Sequence, residues 1–281
     1  MERTARAAST PTPEPLPAGD VAALLDGVPR QRGPVAATAQ ATPRPALPSY
    51  AWRPTARRLL PWRLLPTPTG TPVTFTYTAL LALTSLFASY ASPGLLHALY
   101  QDSSTDVAHL LRTPVFVLLA SALWIAGGLL SPFALAFVLV LTALERRIGG
   151  ARAILVFLTG HVLATLATEV PVGLAVLAGH LPDTSLHRLD YGISFGVAAS
   201  IGALSGLLAP WLRWPLLALV GYSLVTDLIA FQDPMTDWGH VIALAIGTTL
   251  WPVVRRWRQE RAQDPAVPGA APAPVPVAVV G

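Results

Sequence analysis

Residues 114–144 read "PVFVLLASALWIAGGLLSPFALAFVLVLTAL", 31 residues without a single charged side chain. One membrane-crossing helix needs about 20 apolar residues, so this run is too long for one straight crossing and barely long enough for two. Gly127-Gly128 and Ser131-Pro132 interrupt it. Its reading decides the topology, because a second crossing would invert every later loop. The arginines arbitrate. Nine precede residue 72, and the later ones gather at Arg146, Arg147, Arg152, Arg213, Arg255, Arg256, Arg258 and Arg261. If 114–144 crosses once, only Arg112 and Arg188 of the 19 arginines face the other side, which instead collects Asp102, Asp106, Asp183, Asp190, Asp233 and Asp237. Arginine-rich ends belong in the cytoplasm. The crossing is therefore placed at about 129–145, with 114–128 as an outer-leaflet or dipping element that protein must cover.

Working outward, further apolar stretches at 72–91, 151–178, 192–209, 214–231 and 238–254 are each long enough to span. The expectation is an all-α polytopic membrane bundle of six transmembrane helices, with both termini cytoplasmic in a bacterial plasma membrane. A 53% hydrophobic and 12% charged composition excludes an ordinary soluble domain. Residues 1–70, rich in Pro, Ala, Thr and Arg, read as a disordered tail, residues 71–258 as the membrane domain and residues 259–281 as a second tail. The first 30 residues hold no apolar core of a signal peptide. The chain has no cysteine, which excludes disulfides and thiolate chemistry. No phosphate-binding loop, metal-ligand spacing or interleaved basic and aromatic surface is present, so no cofactor, metal or nucleic acid is expected.

Two polar residues enter their spans from the same side. Ser194, in "DYGISFGVAASIG" (190–202), and His240, in "TDWGHVIALAIG" (236–247), both lie near the outer ends of their helices. Ser194, Ala198, Gly202 and Gly206 on one helix and Gly239, Ala243 and Gly247 on the other recur every fourth residue, forming smooth seams that allow close approach. A serine hydroxyl needs a neighbouring base to become a nucleophile, and neutral imidazole is the usual one. The alternative for each residue is structural: a serine that bonds its own helix, and a hydrogen-bonded interior histidine. His161, Glu169 and Asp227 are further titratable groups at membrane depth, and raise a proton or ion pathway as a third possibility.

Three motifs in this order resemble the rhomboid superfamily: "LERRIGG" (144–150) at the end of the second span, "GIS" (192–194) opening the fourth, and "GHVIALAIG" (239–247) in the sixth. The resemblance covers roughly 72–258. It implies a Ser194 nucleophile and a His240 general base cleaving the transmembrane segments of other membrane proteins. It also marks departures. The paired oxyanion-binding histidine and asparagine of the second span correspond to Leu129 and Phe133, and the glycine after the serine is Phe195. One missing oxyanion donor costs about 10²- to 10³-fold in rate. Ser131 and Trp124 are the side chains available as substitutes. Two functions remain open: an intramembrane serine protease, and a rhomboid pseudoprotease that binds membrane clients without cutting them. Oligomeric state is not legible in the sequence.

Overall fold

The computed structural model describes residues 65–263, and the flanking segments read as tails lie largely outside them. Ten α-helices follow in order: α1 (Pro72–Tyr90), α2 (Pro93–Asp102), α3 (Val107–Arg112), α4 (Pro114–Ser121), α5 (Pro132–Ile148), α6 (Gly150–Leu177), α7 (Ser194–Ser205), α8 (Pro210–Ala230), α9 (Pro234–Thr249) and α10 (Trp251–Gln263). A short 3₁₀ turn, Asp183–His187, lies between α6 and α7. Helices α1, α6 and α8 are long and apolar enough to cross a membrane, and α7 is a shorter apolar helix.

The long apolar run splits where its glycines fall. Gly127 and Gly128 have φ of 81° and 78°, a conformation that side chains disfavour, and α4 ends before them. Ser131 then caps α5, its Oγ accepting the Ala134 N–H at 3.2 Å, with Pro132 in the first turn where its missing N–H costs nothing. The last apolar stretch departs from expectation. It does not run unbroken over 238–254: α9 stops at Thr249 and α10 starts at Trp251. Pro252 supplies the reason, since it has no N–H to donate and its ring crowds the carbonyl four residues earlier. Helix α10 continues through Gln263.

Helix α7 is the centre of the bundle, packed by α5, α6 and α9, while α8 lies to one side against α7 and α9, its Arg213 and Trp214 also meeting Trp251 of α10. At 12 residues it is about 18 Å long, and ten of those residues are buried. A helix enclosed on all sides has no lipid thickness to match, which accounts for its shortness. The seam is real. A Cβ on Gly202 would meet the Leu244 carbonyl, and one on Gly247 would strike the Ala199 carbonyl. Its register differs in detail: Ala199 and Ala203 face Gly247, while Gly206 lies against Trp251. Gly160 of α6 opposes Ala199 on the other flank of α7.

The two ends of the bundle are chemically opposite. At the α7 C-terminus, Arg213 donates to the Ser205 and Leu208 carbonyls at 2.9 and 2.8 Å, Arg255 to Gly206 at 3.0 Å and Arg258 to Leu207 at 3.1 Å. Arginines thus cover the carbonyls of the last α7 residue and of the turn that follows it, where the helical ladder supplies few donors. Glu145, at the same end of α5, is 3% exposed and caps α1 across the fold: it accepts the Val73 and Thr74 N–H groups at 3.1 and 2.7 Å and the Thr74 hydroxyl at 2.6 Å. It is a buried N-terminal cap on another helix.

Candidate functional site

At the opposite end, the strands of irregular chain are laced together. The Thr105 N–H donates to the Asp190 carbonyl at 2.8 Å, the Asp190 N–H to Ser104 Oγ at 3.0 Å, and Thr105 Oγ1 to the Asp190 carboxylate at 3.1 Å. Burial pushes the Asp190 carboxyl above its ordinary range, and Arg188 and the Thr105 hydroxyl pull it back. Gly192, at φ 124°, donates its N–H to the Ser121 carbonyl at 3.0 Å and so brings α4 against the start of α7. This turn delivers Ser194 as the first residue of α7.

Ser194 is partly buried and its hydroxyl makes no hydrogen bond to a described residue. His240, one and a half turns into α9, is 6% exposed. Its ring stacks on Phe133 at 5.1 Å between centroids and meets the edge of Phe195 at 5.2 Å. Nε2 is buried without a hydrogen-bond partner, and no hydrogen bond joins His240 to Ser194. The two aromatic residues in contact with the imidazole are those standing at the asparagine and glycine positions of the resemblance. Leu129 is half exposed, outside this cluster. The other proposed donors are engaged elsewhere: Ser131 Oγ caps α5, and Trp124 Nε1 donates to Ser103 Oγ at 2.9 Å.

Sequence reading missed the serine that does meet a histidine. His161 Nε2 lies 3.1 Å from both Ser121 Oγ and the Leu118 carbonyl. A carbonyl only accepts, so Nε2 carries the proton and cannot act as a base toward Ser121. The pair is a clamp between α4 and α6. Ser121 sits 40 residues from His161 in the chain, and no local pattern announces such a pairing. Glu169, on the same helix, instead pairs with Arg188, which also reaches Asp233 at 3.4 Å and the Thr236 hydroxyl at 3.2 Å. Asp227 is exposed on α8. His161, Glu169 and Asp227 are not linked by hydrogen bonds, so the described residues form no proton path through them.

No curated protein and no solved structure matches the chain significantly. The motifs, the central short helix and its small-residue seam are accompanied by a match of residues 69–260 to the family model of rhomboid-like proteins, and the chain belongs to that family.

Proposed function

We propose that this rhomboid-like membrane protein binds the transmembrane segments of client membrane proteins and does not hydrolyse them. The observation that carries this reading is the setting of His240: an imidazole against the rings of Phe133 and Phe195, with Nε2 unpartnered and no bond to Ser194. A general base must reach the proton it abstracts, and a tetrahedral intermediate needs donors for its oxygen. The side chains standing at those donor positions, Leu129 and Phe133, have no hydrogen-bond donor. In the same proposal α1, α5, α6, α7, α8 and α9 are the six crossings, the arginine-rich end faces the cytoplasm of a bacterial plasma membrane together with both termini, and the Ser194 end faces outward.

A protease with Ser194 as nucleophile and His240 as base is the competing reading. It is favoured by the partly accessible hydroxyl at the head of the closely packed α7–α9 seam. A serine-directed fluorophosphonate probe separates the two in liposomes. The client-binding reading expects wild type to label no more than Ser194→Ala. Labelling of wild type that vanishes in both Ser194→Ala and His240→Ala would establish an activated serine and end the non-catalytic reading.

A further inference from the structure

An apolar groove of about 360 Å³ opens between α3, the outer half of α6 and the 3₁₀ turn, walled by Val107, Leu110, Leu174 and Leu186. One ionisable residue lines it, Glu169, and that side chain is 1% exposed. Its Oε1 pairs with Arg188, whereas Oε2 is buried with no hydrogen-bond donor. Arg188 is itself divided among Glu169, Asp190 and Asp233, so three carboxylates share one guanidinium. The wall residues Leu111, Val170, Leu174 and Leu177 are 80, 51, 60 and 86% exposed, so the groove opens sideways on the face of α6.

We infer that this groove receives a lysine side chain projecting from the outer half of a client's transmembrane helix. The inference rests on the client-binding reading above and names the feature by which a client is recognised. The groove admits one side chain, not a helix. A lysine stem of four methylenes lies along leucine and valine walls, and its ammonium supplies the donor that Glu169 Oε2 lacks and the positive charge that the acidic cluster lacks. A lone cation within a span is costly in lipid and finds its partner in protein. A client carrying one is thereby distinguished from the bulk of apolar spans, which gain nothing from Glu169.

The full chain, reconstituted in phosphatidylcholine vesicles free of amine lipids, is titrated by energy transfer with two labelled synthetic helices. Both have a Leu/Ala span, and they differ only in carrying Lys or Leu one turn inside the outer boundary. The Lys helix is expected to bind wild type about tenfold more tightly than the Leu helix. Glu169→Gln should abolish that preference while both helices retain residual binding. Leu174→Trp, which fills the groove without touching the Arg188 pair, should abolish it too, so the test does not depend on Glu169→Gln folding. Equal binding of the two helices to wild type overturns the groove assignment and leaves client binding standing. Loss of the preference on adding phosphatidylethanolamine also overturns it, since a lipid amine would then be the occupant. Cleavage of either helix, read on the same samples by gel, overturns the client-binding reading itself.

Discussion

His161 and His240 sit on neighbouring helices, 2% and 6% exposed, and their surroundings differ in kind. His161 shares Nε2 between the Leu118 carbonyl and the Ser121 hydroxyl, both supplied by the short α4 element. His240 meets phenyl rings from α5 and α7, and its Nε2 meets no donor or acceptor. What separates them is the neighbour that the fold supplies. A helix end with unspent carbonyls offers hydrogen bonds, and a helix flank offers packing. The first histidine therefore holds two elements together through polar contacts, whereas the second is held by them.

The largest effect removes both environments at once. A side chain at Gly247 points into the Ala199 backbone, so Gly247→Leu must push α9 off α7 and disturb the frame on which both histidines stand. Overpacking of this kind costs about 3 kcal/mol. We expect loss of folded protein in a detergent thermal melt, whereas Gly221→Leu on α8, where an added Cβ meets nothing within 4 Å, should melt like wild type. The next effect strikes one histidine alone. His161→Leu keeps the bulk but leaves the Leu118 carbonyl and the Ser121 hydroxyl without their shared donor, at a cost of about 1–3 kcal/mol. Amide exchange should accelerate over 114–121 and stay unchanged in α9. A uniform change across both would show that His161 acts through general packing, and the contrast between the histidines would collapse.

These regions were not equally legible in the sequence. The four-residue recurrence of glycine and alanine predicted that α7 and α9 approach closely, because a helix face repeats at that interval whatever surrounds it. The Gly127-Gly128 break and the segregation of arginine from aspartate were likewise readable, since conformation and charge act locally or by count. Polar pairing was not. The cap that Glu145 places on α1 joins residues 71 positions apart, and the Ser121–His161 contact joins residues 40 apart. Neither partner carries a local mark of the other. Pro252 stands inside the apolar stretch 238–254 and is itself a local signal for the break after α9. At the mouth, Phe133 and Phe195 were recognised as departures from the family pattern. That their rings would meet the imidazole of His240 depended on rotamers and helix rotation that no spacing encodes.

The smallest effects fall on the residues with the strongest sequence signal. His240→Leu exchanges an imidazole already bordered by Phe133 and Phe195 for an aliphatic side chain, and it strands no hydrogen-bond partner, because Nε2 had none. Replacing a buried polar group by an apolar one without orphaning a neighbour is nearly neutral or stabilising. The midpoint of unfolding should therefore stay within about 0.5 kcal/mol of wild type, or rise, in contrast to His161→Leu. Ser194→Ala removes a partly buried hydroxyl with no bond to a described residue and should also lie within about 0.5 kcal/mol. Their combination sharpens the point. If the hydroxyl and imidazole are independent, as the unbonded arrangement implies, the two changes add in the double variant. A coupling energy of about 1 kcal/mol between them would reveal a Ser194–His240 interaction in the membrane, and would return the pair to the role of a dyad.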